Sequence, residues 1–207
     1  MAGLRERKRA RTHAAISDAA IALFLERGFD QVSVAEVAEA AEVSKRTVFA
    51  YFPAKEDLVV HRFADHEAEP ARVVRARPPD VGPLAALRGH FLAGLRDRDP
   101  VTGLNDIPQI LALTRMVRQT PALRTRAIGF QEAAQSALAE ALRETAGVPA
   151  LTARLAATQV VGIHWLLSMD NHEALTGGQS ADARFPAALE DAEHAFAVLS
   201  EGLAGYL

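Results

Sequence analysis

Helical periodicity runs through almost the whole chain, and convincing strand alternation occurs nowhere in it. Ile16, Ala19, Ala20, Leu23 and Phe24 recur at the three- and four-residue spacing of one helix face. Gly28 follows as a stop, with Phe29 positioned to fold back on the helix end. Ser33 and Glu36 have the spacing of a capping box, in which a hydroxyl and a carboxylate each satisfy a backbone N–H. Val34, Val37, Ala38 and Ala41 give that short helix its apolar stripe. Ala41-Glu42-Val43 interrupts it, and Ser44 is a second N-cap. Pro53 ends the next helix near Tyr51 by disfavouring helical geometry at Phe52. Lys55-Glu56-Asp57-Leu58 opens another, with two carboxylates at its positive end. A Pro-rich linker is expected over residues 75–83. Longer helices are expected at 83–98, 107–119, 121–146, 149–169 and 185–203, with a loop over 171–183 and an interruption at Pro108. The expected class is all-α, in two unequal parts.

Composition narrows the function. Of 207 residues, 49% are hydrophobic, which is enough for a packed core. Cysteine is absent, which excludes disulfides, thiolate catalysis and Cys-ligated zinc. The first residues lead into charge, so no secretory leader is expected. The longest uncharged run, residues 155–169, carries Thr158, Gln159 and His164 and falls short of the ~18 residues of a membrane span, so a cytoplasmic chain is expected. A net charge of −3 excludes a uniformly basic coat. Charge is nonetheless uneven. Arg5, Arg7, Lys8, Arg9 and Arg11 outnumber the single Glu6 on a basic arm over residues 1–11, while residues 185–207 hold Glu190, Asp191, Glu193 and Glu201 with no Lys or Arg.

Enzyme signatures are lacking. His172-Glu173 begins like a zinc-protease helix but has no second His four residues on. His61 and Asp65 share a helical face, with His66 and Glu67 on other faces, and two ligands do not make a catalytic centre. No catalytic residue, metal site or cofactor is expected.

The amino-terminal helices form a different constellation. Three short helices, the last two joined by about three residues, describe a helix-turn-helix over residues 33–52. In such a unit the third helix enters the major groove and the second braces it. Lys45, Arg46 and Thr47 lead the third helix, while Val48 and Phe52, four apart, pack inward. Tyr51 offers a phenol to a phosphate, and Lys55 at the next helix start offers a second phosphate clamp. The capping hydroxyls of Ser33 and Ser44 complete the polar set.

The block from Ala14 to Leu58 resembles the TetR family of bacterial transcriptional regulators. It carries Gly28-Phe29, Val32-Ser33-Val34 and the run Ser44-Lys45-Arg46-Thr47-Val48-Phe49-Ala50-Tyr51-Phe52-Pro53-Ala54-Lys55-Glu56-Asp57-Leu58. Phe49 stands where many relatives carry tyrosine, so a hydroxyl contact there is replaced by packing or by a thymine methyl. The resemblance implies about nine helices: a DNA-binding domain over residues 1–53 and a helical effector-binding and dimerisation domain over 54–207. It also implies a homodimeric repressor, released from a palindromic operator by a small molecule. One short reading helix covers few bases, which independently calls for two heads ~34–36 Å apart. Segments 149–169 and 185–203 are the expected dimer surface, through Leu151, Leu155, Gly162 and Leu166 with Ala188, Ala192, Phe196 and Leu199. These residues have the same spacing whether they meet a partner or fill the monomer core. Effector-pocket candidates are Phe91, Asn105, Gln109, Arg115, Met116, Phe130, His164 and Trp165. The alternative is a helical small-molecule-binding or interaction protein whose head binds DNA only nonspecifically.

Overall fold

The computed structural model describes residues 3–64, 66 and 68–203. Among them the chain forms ten α-helices, one 3-10 turn and no strand. The fold is all-α. The described residues gather into two compact units, Met1–Arg62 with Ala112–Ile128, and Phe63–Leu111 with Gly129–Leu207.

In the first unit, α1 spans Leu4–Arg27. From Leu4 on, the expected basic arm therefore forms the first turns of a helix. Its Arg, Glu, Lys and Ala residues are strong helix formers with no breaker among them. Helix α2, Val34–Ala40, opens with the expected capping box: Ser33 Oγ accepts from Glu36 N at 3.2 Å, and Ser33 N donates to Glu36 Oε2 at 2.7 Å. The turn that follows needs a left-handed residue, and Glu42 takes φ 53° there. Val43 N then donates back to Ala38 O at 2.9 Å. Helix α3, Lys45–Tyr51, is capped by Ser44, and α4 spans Asp57–Ala64. Ile16, Ala20 and Phe24 of α1 are buried with Val37, Ala38, Val48, Phe52 and Leu58. Across the sequence, Ser17 Oγ donates to Leu58 O at 3.3 Å.

The other helices are α5 (Glu69–Ala76), α6 (Pro83–Asp97), α7 (Pro108–Gln119), α8 (Pro121–Ala146), α9 (Ala150–Thr176) and α10 (Ala181–Leu203). Pro100–Thr102 is a 3-10 turn, and α7 and α8 contribute residues to both units. In the second unit α10 packs on α6 and α9, around a core that includes Leu87, Leu95, Leu138, Leu142, Val160 and Phe196.

Three expectations are corrected here. Pro108 opens α7 instead of interrupting a helix. The loop expected over 171–183 shrinks to 177–180, because α9 runs on to Thr176. Asn171 and His172 look like loop residues but are buried. Asn171 Nδ2 donates to Thr102 O at 2.9 Å and its Oδ1 accepts from Arg184 Nε at 3.0 Å, which satisfies the amide inside the core. Finally, Ala188, Ala192, Phe196 and Leu199 are not a dimer face. All four belong to the core of the second unit, whereas Leu151, Leu155 and Leu166 of α9 are exposed.

The expected linker is also held in place. The Arg77 guanidinium donates to the carbonyls of Val74, Val81 and Thr145 and to Thr145 Oγ1, at 2.6 to 3.1 Å. Gly103 lies close against the backbone of Ser168. It adopts φ +72°, and a Cβ there would collide with the backbone carbonyl of Ser168. Gly147 has a similar φ of +65° but open space around it. Gly103→Ala is therefore expected to lower unfolding stability by roughly 3 kcal/mol or more, and Gly147→Ala by about 1 kcal/mol. Urea unfolding of the two variants checks this, and equal losses would contradict the clash.

Candidate nucleic-acid interface and effector site

Val48 and Phe52 are buried, so α3 turns Lys45, Arg46, Phe49 and Ala50 outward. Lys45 Nζ stands 6.0 Å from the centre of the Phe49 ring, one helical turn away. Thr47 is half-buried, and its hydroxyl shares a 2.8 Å hydrogen bond with Ser44 Oγ, which also caps Thr47 N at 3.0 Å. Ser33 and Ser44 are exposed, but their hydroxyls are engaged as helix caps. The hydrogen bonds from Ser33 backbone and hydroxyl, then the Arg27 guanidinium at 2.7 Å, pull the Glu36 carboxyl down to about 2.

Lys55, expected as a second phosphate clamp, is engaged within the protein. Its ammonium donates to Phe29 O at 2.5 Å and sits 4.3 Å and 5.5 Å from the Phe29 and Phe24 ring centres. At the start of α4, Ala54 N donates to Asp57 Oδ2 at 3.1 Å, so the Asp57 side chain caps this end. Sequence reasoning assigned cations to the arm without singling out a face. Arg5, Lys8, Arg9 and Thr12 line a groove of about 490 Å³ with Glu6 and Tyr51. Arg9 stands 5.8 Å from the Tyr51 ring centre. The signal lay in the spacing, because positions 5, 8, 9 and 12 share one helical face.

Of the eight pocket candidates, Phe91 and His164 are brought into ring contact. Their rings stack at 4.9 Å with 19° between planes, and Phe196 lies 6.2 Å and 5.8 Å from them. His164 Nε2 is buried, with no hydrogen-bond partner among the described residues. Burial pushes this imidazole down to about 4, the charge of His90 pushes the same way, and Glu69 opposes. Glu69 pairs with His66 Nδ1 at 2.7 Å and His90 Nε2 at 3.2 Å. Asn105 is buried and braces its own loop, donating to Arg98 O at 2.7 Å and accepting from Ile107 N at 3.1 Å. Arg115 and Met116 belong to the segment that packs in the first unit. Gln109 and Trp165 are exposed, and Phe130 is half-buried.

Residues 16–61 match the family model for bacterial regulatory proteins of the tetR family. The chain is 33% identical over 147 residues to the HTH-type transcriptional regulator TcmR of Streptomyces glaucescens, covering 70% of this chain and 65% of that one. The block over residues 16–61 is the DNA-binding region of the TetR family. The match with TcmR spans just under two thirds of that relative's length. A TetR-family regulator from Streptomyces coelicolor A3 shares the fold at a TM-score of 0.57 and 25% identity, covering 96% of this chain and 99% of that one. NalD of Pseudomonas aeruginosa, a secondary repressor of the MexAB-OprM multidrug efflux pump, matches at 0.57 with 19% identity, over 91% and 97% of the two chains. The matched block, residues 16–61, therefore holds α3 and its outward face.

Among the described residues no group of three His, Asp or Glu side chains could hold a metal ion. Asp65 and Glu67, weighed as ligands from the sequence, lie outside the described residues. No described helix is long and apolar enough to cross a membrane.

The buried imidazole has a pH consequence. The folded state holds His164 near 4, below its ordinary 6.5, so the unfolded chain takes up the proton first. The stabilisation is complete above the ordinary value and is lost as pH falls from there towards 4. By pH 5 the loss amounts to about 2 kcal/mol. His164→Phe keeps the ring stack and should reduce the stability lost between pH 7 and pH 5 by that amount. Urea unfolding at the two pH values reads it, and identical losses in both proteins would show that this imidazole is not held neutral.

Proposed function

We propose that this chain is a ligand-responsive DNA-binding transcriptional regulator of the TetR family, a repressor that holds a palindromic operator as a homodimer. The observation that carries this reading is the rotation of α3: Val48 and Phe52 inward, Lys45, Arg46 and Phe49 outward. The head is residues 1–53, and residues 54–207 bind effector and partner in the cytoplasm. Lys45, Arg46 and Thr47 approach the base edges, while Tyr51 and the Arg5, Lys8, Arg9 face of α1 take phosphates. Dimerisation uses segments 149–169 and 185–203. The exposed α9 stripe of Leu151, Leu155, Gly162, Trp165 and Leu166 supports it, and Val198 is the exposed apolar residue on α10. A small molecule entering beside Phe91 and His164 releases the operator.

Selection of bound genomic fragments with the purified protein at near-physiological salt tests the reading. Recovery of a near-palindrome is expected. Unrelated fragments with steep salt dependence would instead favour the helical binding protein with a nonspecific head. On the recovered operator, Lys45→Ala, Thr47→Ala and Tyr51→Ala should each weaken binding about tenfold, with dimer and helicity retained. Unchanged binding by all three would remove α3 from the interface. Leu155→Glu should yield a folded monomer by sedimentation, and a persistent dimer would move the interface elsewhere.

A further inference from the structure

Resting on the regulator reading, we infer that Phe49 makes this chain a reader of pyrimidine 5-methyl groups, requiring thymine at one fixed position in each operator half-site. Phe49 is 43% exposed, and within Met1–Arg62 it is the one large apolar side chain exposed among the described residues. A single exposed aromatic is ordinary on a protein surface. This one lies on the outward stripe of α3, with Lys45, Arg46 and Ala50 as its exposed neighbours. Core packing does not account for it, because Val48 and Phe52 already supply the inward face and lock the rotation of the helix. Nor can the ring turn inward without expelling them.

The chemistry of the groove selects the occupant. Every base pair presents hydrogen-bond donors and acceptors at the major-groove edge, and thymine alone among the four bases adds an apolar group there, its C5 methyl. A phenyl ring has no hydroxyl with which to satisfy a donor, an acceptor or a phosphate. Placed against any other edge, it would desolvate polar atoms without pairing them. Lys45 over the ring supplies the cation that holds this apolar element against a polyanion. Phe49 and Lys45 thus act together, one reading the methyl and the other offsetting the cost of bringing a hydrocarbon face to DNA.

The test uses the full chain and the operator recovered by selection, with each thymine replaced in turn by uracil, which keeps base pairing and removes only the methyl. One position per half-site is expected to weaken binding about fourfold, and about fifteenfold when both are replaced. Phe49→Ala should bind the thymine operator more weakly by a similar factor and become indifferent to uracil there, whereas Phe49→Leu should keep part of the discrimination. Because Phe49 is exposed, helicity and dimerisation serve as controls for folding. A second arm places cytosine or 5-methylcytosine at the sensitive position. Tighter binding of the methylated form establishes the methyl as the group read; equal binding of the two overturns the assignment to a methyl. A selected operator with no uracil-sensitive thymine overturns this inference alone, as does sensitivity that survives in Phe49→Ala. Failure to select any operator overturns the regulator reading, and this inference with it.

Discussion

Burial of Val48 and Phe52 sets the rotation of α3, and the chemistry of the head follows from that rotation. The two side chains are four residues apart, so they share one face and leave the opposite face to Lys45, Arg46, Phe49 and Ala50. Two local devices then fix where the helix begins and ends. Ser44 caps Thr47 N at the start, and Pro53 follows Phe52 in extended geometry at the end. A helix of only seven residues could not keep such an orientation by propensity alone. Here the core imposes it.

Local chemistry was legible in the sequence, and contacts distant in sequence were not. The capping box at Ser33 and Glu36, the cap at Ser44 and the inward pair on α3 each depend on residues within one turn. Their spacing announced them. Lys55 depends on Phe29 and Phe24, more than two dozen positions away, and no local pattern distinguishes an ammonium held over rings from one free for a phosphate. The same difficulty hid the true length of α9. Asn171 and His172 look like loop residues until Thr102 and Arg184 are brought to the Asn171 amide. For α10, the spacing of Ala188, Ala192, Phe196 and Leu199 served a monomer core and a dimer seam equally well. Only packing separates them.

The second unit uses polar groups in two opposite ways. Asn171 has both its amide nitrogen and its amide oxygen paired, and so pins the 3-10 turn to α9 and α10. His164 is the reverse case, a buried nitrogen without a partner among the described residues, packed between Phe91 and Phe196. Leaving such a nitrogen unpaired costs about 1–3 kcal/mol. The aromatic stack and the neutral state of the ring make that tolerable, since an imidazolium in the same place would be far less stable.

Asp57 ties the start of α4 to the segment 112–128 through one carboxylate. Oδ2 caps Ala54 N at 3.1 Å, while Oδ1 accepts from Arg126 Nε at 2.7 Å. The Asp57 side chain is 10% exposed and the Arg126 side chain 53%, so the carboxylate bears most of the desolvation. Separating the pair would leave a buried charge with a single backbone donor, which costs far more than a surface ion pair yields. The first turn of α4 therefore cannot shift cheaply against residue 126. Between α3 and α4, Lys55 is tied to the Phe29 carbonyl and rings, which stiffens the junction after Pro53. A displacement of Arg126 therefore either breaks the ion pair or carries Asp57 and the first turn of α4 with it.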